Sequence, residues 1–327
     1  MKLPNLTFLV PALTLLCVPA LGQTQQAVIL VVDVENEAIY AHDQSDPTTF
    51  ATQQTFTRAV QGRNFNSGIG GGDIVAINGK PAKGMWFTRF NGFRVTPNPQ
   101  PGQGIGDVER AGFLDWSFEI LQPDGTPIGT IMATGPNLGP GPPGAPRSVT
   151  ALNMTVIGGT GAFLGARGQT GIVRVEPGFL PAPPSITEDP GLRRSPGRQK
   201  RTMAIHVIPL ERPTVVSAMH ADFSPVTMGQ PARPGELLII RASGLGPTIP
   251  GIDPGQPFPA IPRQEVNSPL EVRVNGVATE PVNKFGWADS LDYRVDFRVP
   301  EGTPRGDAEI QLTVAWIPGP AFRMPVR

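Results

Sequence analysis

Three sets of residues in this chain have types and spacings suited to chemistry. The first is the glycine-rich run Val156-Ile-Gly-Gly-Thr-Gly-Ala-Phe-Leu-Gly-Ala-Arg-Gly168, whose spacing suggests a cradle for a phosphate. Such a cradle needs a strand, then glycines, then a helix whose N-terminus faces the anion. The strand is present in Asn153-Met-Thr-Val-Ile157, but the helix is not. Gly165, Gly168 and Gly171 recur where it would run, and each interior glycine costs a helix about 1 kcal/mol relative to alanine. The residues that follow, Thr170-Gly-Ile-Val-Arg-Val-Glu176, alternate apolar and polar side chains as a half-buried strand does. The run therefore reads as a strand–turn–strand hairpin, with Gly158, Gly159, Gly161 and Gly168 permitting the turn. Phe163 is placed to plug a core, and Arg167 to reach a carboxylate or a backbone carbonyl.

The second set is acidic. Asp33 and Glu35 lie two apart on an apolar strand and so share a face. Facing inward they can do acid–base work; facing outward they are solvated charges. Asp73, Asp107 and Glu109 flank glycine-rich loops that can offer carbonyls to calcium, without any EF-hand spacing. The third set is the histidines, His42, His206 and His220. None pairs with another at i, i+2 or i, i+4, so no metal site is expected. His206 alternates with Ala204 and Ile208, as a core or a cavity-lining histidine. A serine nucleophile lacks its Gly-x-Ser-x-Gly elbow. No cofactor motif remains.

Aromatic residues concentrate in two predicted hairpins: Trp86, Phe87 and Phe90 in one, Phe113, Trp116 and Phe118 in the other. They can fill a core or wall a ligand cavity. Glycine and proline number 39 each in 327 residues, which disfavours long helices and favours short strands joined by turns. Lysine plus arginine equals aspartate plus glutamate at 27 each, so no overall basic field draws nucleic acid. Strands are expected at 27–34, 74–77, 85–90, 113–121, 128–134, 153–157, 170–176 and 202–208, with a loop at Gly68-Ile-Gly-Gly-Gly-Asp73 and a tight Asn78-Gly79 turn. About eight strands in consecutive hairpins make an antiparallel up-and-down β-barrel, which removes exposed edges. A proline-rich excursion at 177–201 ends in five positive residues within nine and reads as a mobile, solvated loop.

Residues 1–22 read as an export signal: Lys2, an apolar stretch at 6–18, and Ala20-Leu-Gly22 as a small-x-small cleavage site. Prolines at 4, 11 and 19 argue against a membrane helix. Cys17, the only cysteine, lies in that stretch, so no disulfide is expected in the mature chain. The expected organisation is signal 1–22, barrel 23–211 and a second all-β unit at 212–327, patterned as an immunoglobulin-like sandwich.

The hairpin phrase Gly158-Gly-Thr-Gly-Ala-Phe163 with Gly165-Ala-Arg-Gly168 resembles that of the dirigent and allene oxide cyclase superfamily, covering about residues 26–210 with the rest of the barrel. The segments Ala221-Asp-Phe-Ser-Pro225, Pro234-Gly-Glu236, Ser243-Gly-Leu-Gly-Pro247, Val272-Arg-Val-Asn-Gly276 and Val299-Pro-Glu-Gly-Thr-Pro-Arg-Gly306 resemble IPT/TIG-type Ig-like domains of secreted bacterial proteins. The first resemblance implies a barrel that holds an apolar or phenolic small molecule; it aligns only at the Gly158 hairpin and carries over no catalytic residue, so the candidate ligand-binding residues Asp33, Glu35, Trp86, Phe90, Trp116 and His206 rest on their own types and strand positions. It implies either a secreted, periplasmic or cell-surface binding protein without enzymatic activity or, as the alternative, an isomerase or cyclase acting in the cavity. An open interior with inward carboxylates or histidines would favour the enzyme. An interior filled by Phe and Trp would leave a structural or interaction role. The second unit is expected to serve as an adhesion or spacer module toward a surface polysaccharide or protein, with Trp287, Tyr293 and Trp316 as a possible carbohydrate platform.

Overall fold

A computed structural model describes residues 27–43, 65–94, 110–136, 154–176, 199–253 and 255–327. The chain is all-β. Eight strands close into an antiparallel barrel in sequence order: β1 (Val28–Asp43), β2 (Phe65–Ile77), β3 (Lys80–Arg94), β4 (Arg110–Leu121), β5 (Pro127–Pro136), β6 (Met154–Gly159), β7 (Arg167–Glu176) and β8 (Gln199–Ile208), with β8 pairing back onto β1. Alternation decides what faces in. Leu30, Val32 and Val34 of β1, Trp116, Phe118 and Ile120 of β4, and Met203, Ile205 and Val207 of β8 are all buried, as period-2 strands around a closed core require.

Two expectations need correcting here. The stretch Gly68–Asp73 is not a loop but the middle of β2. A Cβ on Gly71 would sit 2.9 Å from the Trp86 carbonyl oxygen, and one on Gly72 would meet Val34 Cγ1 at 2.6 Å. Those glycines let neighbouring strands come close to bulky side chains, a use of glycine that a turn-oriented reading misses. The basic excursion also ends earlier than expected. Gln199, Lys200 and Arg201 already belong to β8, and residues 177–198 lie outside the described residues.

After the barrel come two further antiparallel sheets that share one apolar core. One runs β11 (Thr248–Ile249), β12 (Glu265–Val266), β15 (Pro281–Gly286), β16 (Tyr293–Arg298), β10 (Leu237–Ser243), β9 (Thr214–His220). The other runs β14 (Val277–Thr279), β13 (Leu270–Val274), β17 (Gly306–Val314), β18 (Ile317–Pro318), with β19 (Phe322–Val326) on β17. Barrel and sandwich meet at the barrel end formed by the short turns. Gln122 Nε2 donates to the Asn267 carbonyl at 2.5 Å, Asn267 Nδ2 donates to the Pro127 carbonyl at 2.6 Å, and Lys80 pairs with Glu271 at 2.6 Å. The opposite barrel end gathers the strand termini at 43, 65, 94, 110, 136, 154, 176 and 199. The long connections 44–64, 95–109, 137–153 and 177–198 therefore all attach at that one end.

Candidate functional site

The glycine-rich run is the β6–β7 connection. Val156 pairs with Gly168 and Met154 with Thr170, while Gly161–Phe163 forms one 3-10 turn. No helix follows, so nothing here can cradle a phosphate by a helix N-terminus. Gly161 has φ +59°, and a Cβ there would strike the Ile128 carbonyl oxygen; one on Gly168, at φ +141°, would strike that of His206. Phe163 is 1% exposed and plugs the end nearer the sandwich, where full burial of such a ring is worth about 2–3 kcal/mol. Arg167 is exposed.

The candidate carboxylates Asp33 and Glu35 point away from the barrel interior. Asp33 accepts from the Thr202 hydroxyl at 2.8 Å and Glu35 pairs with Lys200 at 2.6 Å. Both stand on the outer wall, because the buried Val32 and Val34 take the inner face. His206 is likewise on the outer face, between the buried Ile205 and Val207; it is neither a core nor a lining residue. Trp86 and Trp116 do point inward, each 1% exposed, packed edge-to-face with centroids 5.7 Å apart. Phe90 is half-buried against the same core. Asp73 is exposed and accepts from Asn36 Nδ2 at 2.8 Å; His42 has no described side chain, and Asp107 and Glu109 fall outside the described residues.

Among the described residues of the barrel, the interior carboxylate is Glu37, which the strand pattern alone did not single out. Asn36 adopts φ +54°, a conformation Asn tolerates better than most residues. The register of β1 shifts between Glu35 and Ala38. This bulge turns Glu37 inward, where it is 2% exposed. It meets Arg201, whose Nε and Nη2 donate to the two carboxylate oxygens at 2.9 and 2.5 Å. The Arg201 guanidinium also lies over the Trp86 ring, 5.2 Å from its centroid, a cation–π contact. Burial pushes the Glu37 carboxyl above its usual 4.5, and the Arg201 charge and hydrogen bonds offset part of that rise. The signals for these two residues were an Asn interrupting an apolar strand and an arginine at the start of another.

Around this pair the interior holds polar atoms that are not satisfied. Among the described residues nothing hydrogen-bonds Trp86 Nε1, Trp116 Nε1, Thr88 Oγ1 or Thr170 Oγ1, all buried. Thr88 is the cross-strand partner of Trp116 and lies two along from Trp86, so three of the four atoms belong to one cluster. An unpaired buried donor costs about 1–3 kcal/mol, and such groups are uncommon enough to need a reason. Much of the remaining interior is filled, since Trp86, Trp116, Phe118 and Phe163 rank among the largest buried side chains.

The three rings considered for carbohydrate do not form a platform. Trp287 packs edge-on against Phe223 at 6.1 Å, Tyr293 against Phe258 at 4.9 Å, and Trp316 lines a groove with Lys80 and Pro81 at the barrel junction. Comparison of the chain with protein-family models, with curated proteins and with solved structures finds no match.

Proposed function

We propose that this chain is an exported, non-enzymatic binding protein whose barrel takes one small ligand at the end where the long connections attach. The observation that carries this reading is the cluster of Trp86 Nε1, Trp116 Nε1 and Thr88 Oγ1, buried and unpaired beside the Glu37–Arg201 pair. An indole N–H can only donate, so the complementary ligand has to accept. An apolar, ring-containing molecule with a carbonyl, phenolic or acidic oxygen answers both the aromatic wall and the free donors. The dirigent-like resemblance of the Gly158 hairpin and the signal-like residues 1–22 support the same reading.

The test uses 1-anilinonaphthalene-8-sulfonate, which joins an aromatic body to an accepting sulfonate. Excitation of tryptophan should give saturable, one-to-one energy transfer to the bound dye. Thr88→Val keeps the shape but deletes an unpaired hydroxyl, so it should raise the melting temperature of the free protein. The same change should weaken the dye several-fold. A Thr88→Val protein less stable than the parent, with unchanged dye affinity, would show that the hydroxyl serves packing and not a ligand.

One observation favours a second reading, an isomerase or cyclase. Glu37 is a buried carboxyl with raised proton affinity inside the barrel, the profile of a proton-transfer group. If Glu37 moves protons at carbon, a ligand held in D2O acquires deuterium in the wild-type protein and not in Glu37→Gln. A ligand that stays unlabelled in both leaves binding as the function.

A further inference from the structure

A cavity lies between the barrel and the sandwich, on the opposite end of the barrel from the Glu37–Arg201 pair. It has a volume of about 480 Å³, within the range of small-molecule sites. The turn at Gly161 and Ala162 forms one wall and the loop after Gly244 the other. Gly246, at φ +81°, brings its backbone to the barrel turn; a Cβ there would lie 3.6 Å from Ala162 Cα. Three leucines around this cleft, Leu164, Leu210 and Leu291, are 62%, 58% and 60% exposed. Leucines drawn from both units and left open around one concavity mark an interaction site more than scattered surface residues do.

The floor is aromatic. Phe258 and Tyr293 pack with centroids 4.9 Å apart, and the Tyr293 hydroxyl donates to the Gly246 carbonyl at 2.6 Å. That bond fixes the ring and occupies the hydroxyl proton. The charges of the lining are of one sign: Glu211 and Asp253 are its carboxylates, and none of the described lining residues is Lys, Arg or His. The neighbouring Arg212 donates to the Pro318 carbonyl at 3.1 Å. Burial first, and then the Glu211 charge, push the Tyr293 hydroxyl up to about 12.

We infer that this cleft is a ligand site in its own right, for a small organic cation with an apolar body, of the arylalkylamine type. The leucines and ring faces cover the apolar part, the aromatic floor attracts the ammonium through its quadrupole, and the two carboxylates set the sign of the charge. An anion, which the barrel interior is suited to accept, is repelled here.

Three probes of one shape separate the contributions: phenethylamine, 2-phenylethanol and 3-phenylpropionate, titrated into the whole chain by saturation-transfer NMR. Phenethylamine should bind several-fold tighter than the alcohol, with the carboxylate weakest. In Glu211→Gln/Asp253→Asn the amine and the alcohol should bind within about twofold of each other, as exposed charges contribute modestly. Leu164→Arg, at an exposed position that leaves the core intact, should abolish amine binding while circular dichroism and melting temperature stay those of the parent. Thr88→Val should leave amine binding untouched, which keeps this site separate from the barrel ligand. Equal binding of amine and alcohol by the parent protein, a preference that survives loss of both carboxylates, or amine binding indifferent to Leu164→Arg would each overturn the inference.

Discussion

Glu37 and Arg201 are the residues on which most of the account turns. Both are nearly withdrawn from water, with side chains 2% and 11% exposed. Breaking a buried pair by removing one partner leaves an uncompensated charge and costs about 3–5 kcal/mol, whereas replacing both by apolar groups is often neutral. Arg201→Met should therefore be strongly destabilising and Glu37→Leu/Arg201→Met should recover most of the loss, as chemical denaturation would show. The pH dependence follows from the direction of the shift. A carboxyl held above 4.5 in the folded chain binds its proton more tightly there than when unfolded. Stability from this group is then greatest at low pH and falls as pH rises from 4.5 through the raised value. Glu37→Gln should remove that slope. Neither residue was legible in advance, because period-2 reasoning assigns faces only while the register holds. The bulge at Asn36 shifts it by one residue.

At the scale of elements, the hairpins were readable and the inward faces less so. Asn78 and Gly79 carry φ +52° and +72°, as an Asn-Gly hairpin turn requires, and the Gly158 run gave a hairpin once the absent helix was noticed. The face of β1 and β8 was harder. Ile29 and Val31 are 51% and 36% exposed on the outer wall, so both faces of β1 look apolar in the sequence, and Asp33, Glu35 and His206 could not be sided from it. The glycines of the β6–β7 hairpin differ in their work, and substitution separates them. Around Gly158 a Cβ meets nothing within 4 Å, so Gly158→Ala should be neutral or slightly stabilising. Gly168→Ala combines a positive φ with a collision against the His206 carbonyl and should cost about 3 kcal/mol. Thermal melts of the two variants side by side check this. Equal losses would mean that the motif acts through composition and not through geometry.

At the scale of the whole molecule, the barrel has two unlike ends. One is plugged by Phe163 and joined to the sandwich through Asn267, which both accepts from Gln122 and donates to Pro127. Asn267→Ala should cost about 1–2 kcal/mol. Lys80→Ala, at an exposed ion pair whose Glu271 keeps Arg273 as a partner, should cost less than about 1 kcal/mol; differential calorimetry distinguishes them. The other end carries the attachment points of the long connections, the buried, unpaired donors of Trp86, Thr88 and Trp116 lie midway along β3 and β4, and the proposed ligand belongs beside them. Native mass spectrometry of the purified whole chain tests this most directly. The folded protein should carry a discrete small-molecule mass, lost on denaturation, displaced by 1-anilinonaphthalene-8-sulfonate and reduced in Thr88→Val. A folded chain at its bare mass that also takes up no dye would contradict it.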